Sequence, residues 1–159
     1  MRRIYVDKWD DLRKWTESLH SAVSTTVEER LTPIGGEAPA LIGLYSEPDS
    51  ADDSLNYSCF VAAGRWLHEL HADVADSAVT LDSYAIATIV HLGVRTVDGR
   101  ATPSGHQKLY AARIDLDGGK SFEWEATVTE EASRARHGFA KNPVRFVEAL
   151  REMILSTGD

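Results

Sequence analysis

With one cysteine, Cys59, in 159 residues, the chain cannot build an intramolecular disulfide framework or a cysteine-cluster zinc site. Its stability must come from packing. Cys59 stands in the run Ser58-Cys59-Phe60-Val61, a setting that reads as a small buried hydrophobe rather than a nucleophile. The chain also lacks any uninterrupted apolar run near the roughly 18 residues that a membrane helix needs. Arg2 and Arg3 lead into Trp9, Asp10, Asp11 and Arg13 instead of an apolar signal core, so no export signal is expected. A cytoplasmic location follows as the expectation, a host cytoplasm included if the gene is viral.

Basic charge is scarce as well. The formal net charge is −8, which argues against nonspecific nucleic-acid binding, because phosphate neutralisation needs a basic surface. Neither a nucleic-acid nor a membrane partner is expected, whereas a protein partner stays open. Twelve of the 17 basic residues are arginine, and Asn56 and Asn142 are the only asparagines. That bias matches GC-rich coding, as found in bacterial and phage genomes.

What remains is ordinary globular material, 43% hydrophobic and 26% charged, enough for one α+β domain over residues 1–159. Charge is distributed unevenly. Between Ser46 and Ser83 stand Glu47, Asp49, Asp52, Asp53, Glu69, Asp73, Asp76 and Asp82 against Arg65 alone, and from Arg134 onward basic residues outnumber acidic ones. Such asymmetry suits docking on a charged partner or self-association, and it equally suits plain solvated surface.

Three apolar-alternating segments, about residues 84–97, 107–117 and 121–129, predict an antiparallel meander. Tyr84, Ile86, Val90, Leu92 and Val94 share one parity in the first segment; Tyr110, Ala112, Ile114 and Leu116 do so in the second, and Phe122, Trp124, Ala126 and Val128 in the third. His91, Arg95, Arg113, Asp115, Glu123 and Glu125 fall on the other side. A two-residue turn at Gly118-Gly119 would pair apolar with polar faces, so a three-residue loop, Gly118 to Lys120, is expected. It sets Leu116 against Phe122, Ile114 against Trp124 and Arg113 against Glu125. The stretch Asp98 to His106, with Gly99, Pro103 and Gly105, reads as an exposed loop.

Helices are expected around this sheet. Asp7 is a candidate cap for a helix carrying Trp9, Leu12, Leu19, Val23, Val27 and Leu31, with a weak point at Ser24-Thr25-Thr26 and an end at Pro33. Residues 40–46 form a short apolar strand that can join the meander. Residues 56–63 fit either a strand or a helix, and Trp66 to Asp76 is expected to be a central helix. The C-terminal helix, 143–156, has Asn142 as cap, Pro143 at its first position, and a stripe of Phe146, Val147, Leu150, Met153 and Ile154 expected to cover the apolar side of the meander.

Catalytic motifs are incomplete. His68 and His71, three residues apart on a helix, would border one another and offer a metal two ligands, with His91 or His106 as a third, but the zincin spacing is not met. Gly118-Gly119-Lys120-Ser121 lacks the upstream glycine and following helix of a phosphate loop. No serine stands in a nucleophile elbow. If Val90 pairs near Ile114, His91, Arg113 and Glu125 form one row, a general base beside an arginine and a carboxylate. The alternative for that row is cross-strand charge pairing on a solvated face.

With no complete catalytic or metal motif, the leading reading is a non-enzymatic protein-binding factor: an inhibitor, immunity or adaptor protein, or a homo-oligomeric assembly unit. Trp15, lying off the main helix stripe, and the acidic pair Asp52 and Asp53 are its candidate interface residues. No cofactor is expected. The alternatives are a small pocket enzyme using His91 with Arg113 and Glu125, and a phage structural or tail-assembly component.

Overall fold

A computed structural model describes residues 3–38, 40–47, 55–102, 105–129 and 142–157, with backbone alone at 96–102, 105–110, 125–129 and 157. The fold is α+β. The chain divides into two compact units, Arg3–Ile86 and Ala87–Asp159. Asp52 and Asp53, and the basic stretch from Arg134 to Lys141, lie outside the described residues.

The first unit is a five-stranded antiparallel sheet in the order β1-β2-β3-β4-β5, covered on one face by two helices. Its strands are β1 (Arg3–Val6), β2 (Leu41–Ser46), β3 (Asn56–Ala63), β4 (Trp66–Asp73) and β5 (Ala78–Ala85). The helices are α1 (Trp9–Ser18) and α2 (Ser21–Gly35). Their apolar faces, Leu12, Trp15, Leu19, Val23, Val27 and Leu31, pack with Val6, Leu41, Cys59, Val61, Leu70 and Ala72 of the sheet. Residues 40–46 are thus a strand, but they pair with β1 and β3 rather than with the meander.

The expected single N-terminal helix is two helices, and it breaks earlier than Ser24-Thr25-Thr26. Leu19 leaves the helix in an extended conformation, and His20 caps α2 by accepting a hydrogen bond from the Ala22 amide at Nδ1, 3.0 Å. Ser24 lies inside α2, its hydroxyl donating to the Thr16 carbonyl at 2.6 Å. That bond ties α2 back to α1. Asp7 is not the cap of α1; Lys8 holds that position without a side-chain bond. Pro33 falls in the last turn of α2, which continues to Gly35. A β-carbon at Gly35 would stand 2.6 Å from the Trp9 ring and 2.8 Å from Leu41, so this close approach of helix and sheet requires glycine.

The expected central helix over Trp66 to Asp76 is strand β4 and the turn after it. Leu67 and Glu69 are buried on one face of β4, and Leu70 and Ala72 are buried on alternate positions of the rest of the strand. A strand buried on both faces loses the two-residue alternation that identifies strands in sequence. Its hairpin with β3 turns at Gly64, φ +62, and a helical period read across that turn is a coincidence of spacing.

The second unit is the meander, β6 (Ile89–Thr102), β7 (Gly105–Leu116) and β8 (Ser121–Thr129), with α3 (Asn142–Thr157). Tyr84 and Ala85 close β5, and residues 86–88 form a 3-10 turn, so the meander begins at Ile89 and not at 84. Most of the expected loop from Asp98 to His106 is strand: β6 runs to Thr102 and β7 starts at Gly105. The helix α3 covers the apolar face as expected. Phe146, Val147 and Leu150 are fully buried, and the Phe146 ring meets Trp124 edge to face at 5.9 Å.

The β7–β8 hairpin keeps the expected three-residue loop length and face matching, but is shifted by two in register. Ile114 pairs with Phe122, Ala112 with Trp124 and Arg113 with Glu123. The loop is Asp117-Gly118-Gly119, closed by the Leu116 amide donating to the Lys120 carbonyl at 2.8 Å. Gly118 and Gly119 both have φ +94. Two consecutive left-handed residues place both glycines in the loop and let the chain re-enter the sheet at Ser121.

Candidate functional site

On the polar face of the meander, register decides which side chains meet. Between Ile89 and His91 the ladder to β7 carries one extra residue, Val90, which bulges out and is 67% exposed. His91 therefore faces Asp115, and Gly93 faces Arg113. The expected row of His91, Arg113 and Glu125 does not form: Glu125 stands opposite Ala111. In its place is a chain of contacts in which His91 Nδ1 lies 3.2 Å from Asp115 Oδ2, Arg113 Nε donates to Asp115 Oδ1 at 2.8 Å, and the Arg113 guanidinium reaches Glu123 at 3.6 Å. Asp115 thus holds a histidine with one oxygen and an arginine with the other.

A histidine oriented by a carboxylate at Nδ1 has the form of a general base. Its surroundings do not favour that use. The His91 side chain is 59% exposed and Arg113 49%, so proton transfer there competes with bulk water, and the charge pairs are worth about 0.2 to 1 kcal/mol each. The arrangement is cross-strand charge pairing on a solvated face.

The two histidines of β4 are separated by the strand itself. Three residues apart on a strand, His68 and His71 project to opposite faces, so the metal pair expected on a helix is not available. His71 Nε2 contacts buried Glu69 at 3.1 Å, and His68 Nδ1 shares a 2.7 Å hydrogen bond with Ser83 Oγ on β5. Burial lowers the proton affinity of His68 and favours its neutral form. Among the described residues no group of three histidine, cysteine, aspartate or glutamate side chains is placed to hold a metal ion. Cys59 is fully buried, and burial pushes its thiol pKa up, which suppresses the thiolate needed for nucleophilic chemistry.

Trp15, a candidate interface residue, and Trp66 stand in opposite environments. Trp15 is 3% exposed, its ring stacked on Tyr45 at 5.3 Å and its indole N–H donating to the Ser46 carbonyl at 2.9 Å. It is a core residue with a satisfied donor. Trp66 is 50% exposed. The Gly64 turn delivers it to the first position of β4, where it borders a groove of about 370 Å³ with Pro33, Ile34, Glu37 and Ala38 at the end of α2 and Ala63, Gly64 and His68 on the sheet. The groove is mainly apolar, with one carboxylate, Glu37, and one neutral imidazole in its lining.

A second, wider groove lies where β1, α1 and β2 meet, lined by Tyr5, Asp11, Lys14, Ser18, Tyr45 and Glu47 among others. Burial first, then the carboxylates of Glu47 and Asp11, raise the pKa of the Tyr45 phenol. It stays a hydrogen-bond donor throughout the neutral range. Arg3 lies half-sheltered nearby on the opposite face of the sheet, 6.0 Å from the Phe60 ring and within 2.5 Å of the Ser58 hydroxyl.

Neither site had a clear sequence signal. The Trp66 groove joins residues 33–38 to 63–68 across a sheet whose pairing was not readable; the one pointer was the turn pair Gly64-Arg65 beside a tryptophan. Among the described residues no helix is long and apolar enough to cross a membrane. Compared with protein-family models, with curated proteins and with solved structures, the chain matches none.

Proposed function

We propose that this chain acts by binding another protein, and that Trp66 anchors the contact. The observation that carries the reading is a half-exposed tryptophan set beside an apolar groove, on a chain whose Trp15 and Trp124 are buried and whose Trp9 packs, partly buried, against the core. Tryptophan is enriched at binding hot spots because it offers a large rigid surface at small entropic cost. Exposed indole against Pro33, Ile34, Ala38 and Ala63 offers an apolar side chain of a partner a place to be desolvated. Glu37 in the lining favours a lysine or arginine next to that side chain.

An inhibitor, immunity or adaptor role fits this reading. A linear-peptide library displayed on phage and selected on the immobilised chain tests it. Enriched sequences are expected to carry an apolar residue beside a basic one, and Trp66→Ala should weaken their binding by about thirtyfold, the loss typical of a hot-spot residue. Selected peptides that bind Trp66→Ala and Ile34→Glu as well as the parent would overturn the reading.

A further inference from the structure

We infer that β5 is an association edge, occupied by β5 of a second copy of this chain in an antiparallel pair about a two-fold axis at Leu81. Among the described residues β5 ends the order of its sheet, and no strand pairs with its far side. It pairs with β4 over eight residues, Ala78 to Asp73 through Ala85 to Trp66, without a bulge. Over residues 78–83 the far side of this regular strand presents backbone N–H and C=O groups that another extended chain can satisfy in series.

The usual defences of an edge are missing from β5. It has no proline, no lysine and no bulge, and its one charged residue is Asp82. The opposite edge, β1, is four residues long. Val79, Thr80 and Tyr84 are strand-forming residues, and Thr80, Asp82 and Ser83 are exposed. An open edge of this length and composition is a template for strand addition.

Symmetry and charge select the register. In a two-fold antiparallel pair, directly opposed residues lie on one face, so the axis must pass through a residue facing its own copy. Near the middle of β5 the choices are Leu81 and Asp82. An axis at Asp82 sets two carboxylates against each other, which is destabilising. An axis at Leu81 places Leu81 against Leu81, Val79 against Ser83, and Asp82 against Thr80, whose hydroxyl can donate to the carboxylate. The second copy is therefore the occupant whose charge pattern the edge already accommodates.

This inference is independent of the Trp66 groove. Sedimentation equilibrium of the full chain over a wide concentration range tests it, with circular dichroism to verify folding of each variant. A concentration-dependent dimer mass is expected for the parent chain and for Trp66→Ala. Thr80→Asp places an aspartate against Asp82 twice per dimer and should weaken dimerisation about tenfold or more. Adding Asp82→Lys to Thr80→Asp turns both contacts into opposite-charge pairs and should restore the dimer. A monomer at every concentration overturns the inference, as does a dimer that Thr80→Asp leaves intact or one that the double variant fails to restore.

Discussion

Gly93 lies beneath the imidazole of His91 on the same face of β6, so close that a β-carbon at 93 would stand 2.6 Å from the ring's Cε1 atom. The absence of a side chain at 93 lets the ring lie along the strand and put Nδ1 against Asp115. The obstacle is a movable side chain and not backbone, so the ring can swing away.

Gly93→Ala should therefore move the imidazole without unfolding the meander. The His91 ring resonances are expected to shift toward those of Asp115→Asn, in which the carboxylate is gone. Stability should change by no more than about 1 kcal/mol, the upper worth of one cross-strand pair. Unaltered ring shifts in both variants would refute the contact.

Trp15 and Trp66 predict opposite costs on truncation. Trp15→Ala opens a cavity in the core and orphans the Ser46 carbonyl, and should cost about 3 to 5 kcal/mol by urea denaturation. Trp66, half in water, should cost well under that value. Comparable losses at the two positions would contradict their burial.

The difference between these two tryptophans also shows what the sequence could and could not convey. Helix α3 was legible because its period, its Asn142-Pro143 start and its apolar stripe agree, and the meander was legible because each strand buries one face. Trp66 reads as helical in sequence because β4 is buried on both faces, and its apolar positions fit a helical period as well as a strand. Trp15 reads as off the stripe because the sequence suggests one long helix; the break at Leu19 and His20 gives α1 its own orientation, on whose stripe Trp15 lies. In the polar face, parity put His91, Arg113 and Asp115 together, but the bulge at Val90 and a loop starting at Asp117 fixed the partners. One inserted residue and one loop position are below what alternation can resolve.

The neutral form favoured for His68 makes stability depend on pH. Its proton affinity is lowered by burial from the ordinary value of 6.5, so the unfolded chain binds the proton more readily than the folded one. Its contribution to stability is full above about pH 6.5 and falls as the pH drops from there toward the lowered folded value. Urea midpoints measured between about pH 7.5 and about pH 5 should decline less steeply for His68→Gln than for the parent chain. Parallel curves would show that His68 does not titrate differently on folding.

Gly118 and Gly119 carry the turn that sets the β7–β8 register. At φ +94 an L-residue meets its own carbonyl, at a cost of about 1 to 2 kcal/mol per position. Gly118→Ala and Gly119→Ala should each lower the denaturation midpoint by that amount, since nothing lies within 4 Å of either added β-carbon and the cost is backbone strain alone. D-alanine introduced at either site by chemical ligation adopts positive φ without strain and should recover the parent midpoint or exceed it. Recovery by the D-residue and loss with the L-residue separates backbone conformation from packing. Equal midpoints for the two would place the turn elsewhere, and with it the pairing of Arg113 with Glu123.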